Sequence, residues 1–377
     1  MIPKKIKVAV IHPALMDYRL KLFEMISNEY DATFIFTKQG LGQESVKENH
    51  LQIPIIWKHK ILRTKWYFFG KDIGMIFKLS KEILLGGYDA ILFSTNWYVC
   101  WPLSKLTRKK SIYWTEFWYW KNTSMLRKLL NACTYYIAKN SDSIVATGSK
   151  AYLSHMELGV KEEKIFTYPQ CSANYNTDVN DLRFELGLVD KKIILYLGRI
   201  VSFKGLPYLI ESLKNVNKHV DNAFLIVIGT GPLEGYCKKL AADLGLHNIM
   251  FTGFLDDESM KLRYYKTCDL FVLPSVIIEG TYEPWGLVVN EAMGFAKPII
   301  TTDAVGSEYD MVQNEFNGYV VPNKDSEALS KAILKIITDD AIIRKMGLNS
   351  RERYEHINVH KKMFEKFTEA ISYALRS

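Results

Sequence analysis

The feature that most constrains the fold is an alternation between short apolar segments and segments with the helical period. Strands that are apolar along their whole length have both faces buried, and helices between them act as crossover connections. The pattern therefore predicts parallel sheets with helices on both faces. Strands are predicted at 7–11, 32–36, 90–93, 111–114, 143–146, 193–197, 224–228, 249–252, 270–272 and 298–301. Helices are predicted at 17–28, 73–85, 124–139, 150–158, 206–217, 233–244, 259–265, 287–294 and 360–376.

This alternating series occurs twice. The polar segment 168–181, "YPQCSANYNTDVND", separates the two series and has no periodicity, which is typical of a linker. A chain of 377 residues also exceeds the size at which a single core stays compact. The predicted fold is α/β, with two doubly wound Rossmann-like domains facing across a cleft, in which a ligand would bind beyond the carboxyl ends of the strands. The predicted boundaries are 1–175, 176–355 and a carboxyl-terminal helix at 356–377 that packs back toward the first domain.

The formal charge of +8 suggests anionic partners without naming one. Basic residues concentrate in 57–82 and 105–139, and both segments are interleaved with aromatic residues. Such a mixture suits a membrane interface or a polyanion, and it is equally explained by a solvated basic face over an ordinary core. No recognisable reader motif accompanies the charge, so nucleic acid is not an expected partner.

The five cysteines are scattered and never in CxxC spacing, which indicates a reducing compartment and argues against a disulfide framework or a zinc site. The amino terminus has only a five-residue apolar run, too short for a signal peptide. No segment approaches the roughly 18 uninterrupted apolar residues of a membrane span. We expect a cytoplasmic protein, with peripheral contact at the inner face of an anionic membrane.

The second half opens with "ILYLGRIVSFKGLPYLIESL", a strand followed by a turn and a helix. Gly198 allows the turn at the strand end, and Arg199 and Lys204 are cations beside the start of the helix. A forked guanidinium and a mobile amine near a helix amino terminus suit a diphosphate. The alternative is that both are surface cations in a loop.

A second strand-to-helix turn, "FLIVIGTGPLEGY", contains Gly229, Gly231 and Pro232. Glycines allow a ligand to approach the backbone closely, and proline near the first helical position gives up an amide that has no helical partner. A lone Gly-x-Gly is weak evidence, because any turn of this kind can use it.

Two carboxylates stand at the ends of an apolar stretch in "EPWGLVVNE": Glu283 and Glu291. A helix starting near Gly286 would point its free amides toward Glu283. Carboxylates accept hydrogen bonds from sugar hydroxyl groups, so this pair would suit a polyol. The alternative is that Glu291 is a solvated helix residue and Glu283 complements the helix dipole.

These motifs together resemble those of family 4 glycosyltransferases, which are retaining enzymes of the GT-B architecture. "LGRIVSFKGLPYLIESL", "GTGP", "GFLDDESM", "DLFVLPS", "EPWGLVVNEAMGFAKPIITTDAVGS" and "NGYVV" occur in the order and spacing of that family, and the resemblance covers essentially the whole second half. The first half resembles the family more weakly.

The resemblance implies roles for individual residues. Arg199 and Lys204 would contact the donor diphosphate, Glu283 the donor sugar, and Glu291 the ribose. Arg199, Lys204 and Glu283 are the expected catalytic residues. The remaining donor-binding residues would be Gly198, Gly229, Gly231, Pro232, Phe254, Gly286 and Leu287. The second domain would thus bind the nucleotide sugar and the first domain the acceptor.

The first half departs from the family pattern. Its first loop, in "VAVIHPALMDYRLKLFEMI", carries Pro and Tyr-Arg in place of the usual Gly-Gly turn. The segment "SIYWTEFWYW" has Glu116 where many members carry a His-containing loop beside the acceptor. Glu116 and His12 are the candidate catalytic residues on this side, and the alternative for His12 is a hydrogen-bonded loop residue.

The resemblance implies transfer of a sugar from a UDP- or GDP-linked donor to a glycan or lipid-linked acceptor. No Asp-x-Asp metal motif stands in a fitting context, so we expect no metal and no cofactor, with Arg and Lys stabilising the leaving diphosphate. The departures in the first half keep a second class open, a non-catalytic nucleotide-sugar sensor or scaffold. An epimerase would need acid–base residues that the sequence does not reveal.

Overall fold

The computed structural model describes residues 5–37, 57–62, 67–68, 71–119 and 124–377. These residues form two compact units. The first contains the described residues up to Ala173 together with Val359–Ser377, and the second contains Asn174–Asn358. The carboxyl-terminal segment therefore belongs to the first unit.

The first unit is built on one parallel sheet. Its strands are β1 (Lys7–His12), β2 (Asp31–Phe36), β3 (His59–Ile61), β6 (Ala90–Phe93), β7 (Lys110–Thr115), β8 (Ser143–Thr147) and β9 (Ile165–Tyr168), and a separate short antiparallel pair is formed by β4 (Tyr67–Phe68) and β5 (Lys71–Asp72). The strand order is β3-β2-β1-β6-β7-β8-β9, and all neighbouring strands are parallel.

Helices cover both faces of this sheet. They are α1 (Asp17–Glu29), α2 (Ile73–Leu85), α3 (Trp97–Leu106), α4 (Met125–Asn140), α5 (Gly148–Glu157) and α13 (His360–Arg376), with a 3-10 turn at Glu162–Lys164. Apolar side chains of α1 and α13 pack on one face together with Val8 and Val10. Side chains of α2, α3, α4 and α5 pack on the other face together with Ala9 and Ile11. Because successive residues of β1 point to opposite faces, both faces need apolar residues, which explains the uninterrupted run in the sequence.

The second unit repeats this architecture. Its strands are β10 (Lys192–Leu197), β11 (Ala223–Ile228), β12 (Ile249–Gly253), β13 (Leu270–Leu273), β14 (Ile299–Thr302) and β15 (Gly318–Val321). Its helices are α6 (Leu206–Val216), α7 (Glu234–Asp243), α8 (Glu258–Thr267), α9 (Leu287–Gly294), α10 (Glu308–Met311), α11 (Ser326–Ile337) and α12 (Asp340–Ile357), with a 3-10 turn at Ser202–Lys204. The parallel strand order is β12-β11-β10-β13-β14-β15.

The strand order of the second unit places a switch point beside β10. This strand is the first of its sheet along the chain, and it lies between β11 and β13. Connections leave its carboxyl end toward both sides of the sheet, so a crevice opens there, and ligands of doubly wound sheets bind in such crevices. The loops after β10 and β13 carry Arg199, Lys204 and Glu283, which makes this edge the candidate site.

The predicted fold of two doubly wound, parallel-sheet Rossmann-like domains is confirmed. Every predicted strand and helix is present, and each begins and ends within two residues of its predicted bounds. Several elements were not predicted: β3, β4, β5, β9, β15, α3, α10, α11 and α12. In the part of the chain that the structure describes, none of the helices has the length and apolar character needed to cross a membrane.

Candidate functional site

The loop after β10 is held tightly against the loop after β13. Gly205 has a φ of +68°, and a Cβ atom built on it would lie 1.8 Å from the carbonyl oxygen of Pro274. The backbone amide of Val276 also donates a hydrogen bond to the carbonyl oxygen of Phe203, at 2.8 Å. Only glycine fits this contact, which brings the residue before it, Lys204, next to the segment that contains Glu283.

Lys204 and Glu283 form a buried ion pair. The amine of Lys204 contacts Oε2 of Glu283, and the two side chains are 12% and 10% exposed. The hydroxyl group of Ser275 lies 3.4 Å from the same carboxylate oxygen and donates to it. The carboxylate of Glu283 is therefore not solvated. It has direct partners in Lys204 and Ser275, in addition to the helix dipole that the alternative interpretation invoked.

The backbone of Glu283 is fixed as well as its side chain. Its amide donates to the carbonyl oxygen of Ala304 at 3.2 Å, and its carbonyl oxygen accepts from the amide of Gly306 at 2.9 Å. Gly286 then turns the chain into α9 with a φ of +89°. A side chain at Gly286 would approach Leu273 and Val305, so this turn also requires glycine. Leu287 is the first residue of α9 and is half-buried.

Arg199 differs from Lys204 in its surroundings. Its side chain is exposed, and it makes no ion pair with any residue that the structure describes. Its carbonyl oxygen accepts a hydrogen bond from the hydroxyl group of the buried Tyr196, at 2.9 Å, which fixes the backbone at this position. In the loop after β10, Lys204 is thus paired with Glu283, whereas Arg199 is exposed and can bind an anion.

The turn after β11 packs against the loop after β10. A Cβ atom on Gly229 would lie 2.1 Å from the carbonyl oxygen of Gly198, and one on Gly231 would lie 2.3 Å from that of Ile200. We expected these glycines to admit a ligand to the backbone; their Cβ positions face a neighbouring loop of the protein itself. Pro232 was expected near the first helical position, but α7 begins only at Glu234, so it precedes the helix.

Phe254, the remaining predicted donor-binding residue, directly follows β12 and is exposed. It lies at the carboxyl edge of the same sheet as Arg199 and Glu283, because parallel strands end at one edge. No ring or cation contact of Phe254 connects it to these side chains among the described residues.

Glu291 is buried, with an exposed fraction of 6%. Its Oε1 accepts a hydrogen bond from the hydroxyl group of Tyr175 at 3.0 Å, and its Oε2 accepts one from that of Tyr265 at 2.7 Å. The amine of Lys261 lies 3.5 Å from Oε2. The alternative of a solvated helix residue is wrong, since this carboxylate is surrounded by three donors.

These three donors were not predicted from the sequence. Tyr265 and Lys261 lie on α8, and Tyr175 follows the boundary between the two units. They are 26, 30 and 116 positions away from Glu291, as the residue numbers show. No local motif joins them to it.

The first unit has its own polar cluster at the carboxyl ends of β1 and β7. Arg19 donates to Oε1 of Glu116 at 2.6 Å, and its guanidinium lies 4.1 Å from the ring centroid of Trp114. Arg19 is 2% exposed, whereas the side chain of Glu116 is 34% exposed. Arg19 was noticed in the sequence only as part of a departure from the family pattern.

His12 is buried beside this ion pair. Its Nδ1 donates to the carbonyl oxygen of Ala14 at 2.7 Å, and its ring lies 5.2 Å from that of Trp114. Burial, and then the positive charge of Arg19, lower the pKa of His12 to about 3. The imidazole is therefore neutral near neutral pH. Its hydrogen bond to Ala14 is the contact expected of a hydrogen-bonded loop residue.

The candidate site contains no evident metal centre. In the described ranges, no group of three or more His, Cys, Asp or Glu side chains is placed to hold a metal ion. All five cysteines are described, and all are free thiols.

Residues 178–353 match the family described as Glycosyl transferases group 1. The carboxyl-terminal half carries this domain. An uncharacterized glycosyltransferase of Methanocaldococcus jannaschii is 32% identical over 46% of this chain and 43% of its own length. The O-antigen chain mannosyltransferase C of Escherichia coli is 26% identical over 67% of this chain and 66% of its own length. The chain thus spans less than two thirds of these curated relatives.

The whole chain resembles solved structures in fold. The crystal structure of Anabaena HepE in complex with UDP and glucose has a TM-score of 0.75 and 18% identity, and the match covers 97% of this chain and 99% of that one. At this level of identity the likeness shows the two-domain fold alone. Glu283, Glu291, Arg199 and Lys204 all lie within the part of the chain that matches the family.

Proposed function

We propose that this protein is a retaining family 4 glycosyltransferase that transfers a sugar from a nucleoside-diphosphate sugar, linked to UDP or GDP, to a hydroxyl group of a glycan or lipid-linked acceptor. The product would belong to cell-envelope polysaccharide, glycolipid or glycoprotein synthesis. The observation that carries the proposal is the buried Lys204–Glu283 pair beside the exposed Arg199, at the switch point of a domain that matches glycosyl transferases group 1.

The charges at this edge suit a diphosphate leaving group. Arg199 is exposed and offers a forked donor, and Lys204 stands directly before the turn into α6. In the proposed reaction both cations stabilise the negative charge that develops on the diphosphate, and each charge-assisted hydrogen bond contributes about 1.5–3 kcal/mol. Because Lys204 already contacts Glu283, it would link the phosphate to the carboxylate that holds the donor sugar.

Retention of configuration requires the acceptor hydroxyl group to attack on the face that the diphosphate leaves. The departing phosphate oxygen can then take the proton, so the protein need not supply a general base of its own. This agrees with the neutral, buried state of His12 and with the engagement of Glu116 by Arg19. We propose that the first unit binds the acceptor, and that Glu116 contacts it.

Incubation with UDP- and GDP-sugars tests the proposal. We expect one of these donors to raise the melting temperature with increasing concentration, because a ligand of the folded state stabilises it. We also expect release of the nucleoside diphosphate once a suitable acceptor, such as an extract of lipid-linked glycans, is added. Replacing Glu291 by Ala should remove most of the thermal shift, on the order of one charged hydrogen bond.

Three outcomes would count against the proposal or a part of it. Binding of the donor without release of nucleoside diphosphate, with any acceptor, would support a nucleotide-sugar sensor or scaffold instead. Activity that is abolished by EDTA and restored by magnesium would contradict the metal-independent mechanism, in which Arg199 and Lys204 take the place of a divalent cation. An unchanged thermal shift in the Glu291→Ala variant would remove the ribose assignment.

We further propose that the first unit docks on the inner face of an anionic membrane, on the cytoplasmic side. On helix α4 the exposed large apolar residues include Met125, Leu129, Leu130 and Tyr136. Arg127, Lys128 and Lys139 lie on the same helix. Exposed apolar side chains next to cations suit the interface of an anionic bilayer. Of the basic–aromatic segments that led to this expectation, Arg63, Lys65, Trp66, Phe69, Trp120 and Lys121 lie outside the described residues.

Sedimentation with vesicles tests this membrane contact. We expect the protein to bind vesicles containing phosphatidylglycerol and to bind phosphatidylcholine vesicles weakly. Replacing Met125, Leu129 and Leu130 together by Ser should lower binding about tenfold or more, because their apolar surface would no longer insert. The matched control is Leu348→Ser, which removes an exposed leucine from the second unit. Equal binding to both kinds of vesicle, or an undiminished response in the triple variant, would contradict the proposal.

A further inference from the structure

We propose that Tyr265 and Tyr175 are positioning residues, which hold the carboxylate of Glu291 in the orientation that accepts the two hydroxyl groups of a ribose. The inference rests on the proposed function, because Glu291 contacts ribose only if the ligand is a nucleotide. It adds two residues, one of them close to the boundary between the units, to the side chains that determine selectivity for ribonucleotides.

Tyr265 is the more rigid of the two donors. It is completely buried, its hydroxyl group donates to Oε2 of Glu291 at 2.7 Å, and its ring stacks on Phe295 with a centroid distance of 5.7 Å. Phe271 packs against the same ring at 5.8 Å. Burial, and then the charge of Glu291, raise the pKa of Tyr265 well above its ordinary value, so this hydroxyl group stays protonated and remains a donor. A solute cannot reach it, and it therefore acts on the ligand only through Glu291.

Tyr175 completes the arrangement on the other carboxylate oxygen. Its hydroxyl group donates to Oε1 at 3.0 Å, and burial followed by the charge of Glu291 raises its pKa too. The two phenols thus bind one oxygen each, which fixes the plane of the carboxylate. A single donor would leave the group free to rotate about its terminal bond, since that torsion is broad in glutamate.

The acceptor positions of the Glu291 carboxylate that the two phenols leave unused match the two hydroxyl groups of a diol. An ionised carboxylate offers about four acceptor positions, and two of them are taken by the phenols. The third contact, from Lys261, is the longest at 3.5 Å, and the side chain of Lys261 is 24% exposed. In the proposed complex a ribose hydroxyl group replaces this amine at Oε2, and the second hydroxyl group donates to the remaining acceptor position of Oε1. The adjacent oxygens of a 2′,3′-diol can bind both carboxylate oxygens at once.

The test compares ribonucleotides with analogues that lack the diol. Affinities for UDP and GDP, and for 2′,3′-dideoxy-UDP and 2′,3′-dideoxy-GDP, are measured by calorimetry for each variant. We expect the wild-type protein to prefer one ribonucleotide over its dideoxy analogue by about tenfold or more, as expected for hydrogen bonds to a charged group. Tyr265→Phe should reduce this ratio to about threefold or less, and Tyr175→Phe should reduce it in the same direction.

The control is Tyr264→Phe, which removes a buried phenol from the same helix that does not donate to Glu291. If the tyrosines only stabilise the fold, all three variants should lose stability while the ratio of ribonucleotide to dideoxynucleotide affinity stays unchanged. An unchanged affinity ratio in folded Tyr265→Phe and Tyr175→Phe would overturn the inference. If Tyr265→Phe does not fold, the ratio of ribonucleotide to dideoxynucleotide affinity in Tyr175→Phe decides whether the inference stands. A wild-type protein that binds no nucleotide, or shows no ribose preference, would overturn the ribose assignment itself and the inference with it.

Discussion

Replacing Lys204 by Met is expected to abolish most turnover and to destabilise the protein at the same time. The substitution leaves the carboxylate of Glu283 buried without its cation, and breaking a buried ion pair from one side costs about 3–5 kcal/mol in the free energy of unfolding. It also removes a cation from the proposed diphosphate site, for which we expect a fall in turnover of about 10²–10³-fold. Urea unfolding and nucleoside-diphosphate release measure the two effects.

A double variant separates the two effects. Lys204→Met combined with Glu283→Leu removes both charges, and apolar residues of similar size commonly restore stability to within about 1 kcal/mol of the original pair. We expect this variant to be stable and inactive. The control for stability is Lys238→Met, which breaks an exposed pair with Glu234 and should cost about 1 kcal/mol or less. A double variant that regains turnover would show that the pair only stabilises the fold.

Replacing Gly205 by Ala is expected to have the second large effect. The new Cβ atom would lie 1.8 Å from the carbonyl oxygen of Pro274, and the residue would also have to keep a φ of +68°. A backbone atom cannot move aside as a flexible side chain can, so the loop that carries Lys204 must shift. We expect a loss of about 3 kcal/mol or more in the free energy of unfolding, combining backbone strain with overpacking. The thermal shift with a nucleotide sugar should largely disappear.

Gly245→Ala is the matched control for this substitution. Gly245 has a nearly identical φ of +69°, but a Cβ atom there would meet nothing within 4 Å. It should therefore show the conformational cost alone, about 1–2 kcal/mol, and an unchanged response to nucleotides. If Gly205→Ala and Gly245→Ala lost the same free energy of unfolding, the contact between Gly205 and Pro274 would not be what fixes the loop.

The elements that could be predicted are those with a strong local pattern. Strands β1, β6 and β10 have both faces buried. Successive buried positions in each of these strands therefore favour apolar residues, which produces a continuous apolar run in the sequence. The missed strands β9 and β15 are four-residue strands at the edges of their sheets. An edge strand pairs on one side only, so its sequence is less restricted. Helix α3 was missed because Pro102 stands inside it, where proline removes a backbone hydrogen bond.

The candidate site could be predicted only in part. Arg199 and Lys204 lie in the loop after β10 and Glu283 in the loop after β13, two strands whose carboxyl ends share one edge of the sheet. Their chemistry suggested a polyol and a diphosphate. Their pairing did not follow from the spacing, and the sequence left open whether Glu283 and Glu291 were solvated. Both are buried.

The order of apolar and polar residues along this chain determined two parallel sheets and placed the charged loops at their carboxyl edges, because burial on both faces acts on every residue of a strand. Only the tertiary structure decided which polar groups meet: Lys204 with Glu283, Arg19 with Glu116, and two tyrosines with Glu291. The physical reason is the separation along the sequence between the residues that each kind of interaction involves. Hydrophobic periodicity is a property of neighbouring residues, whereas an ion pair or a hydrogen bond depends on distances of a few ångströms between segments that the fold brings together.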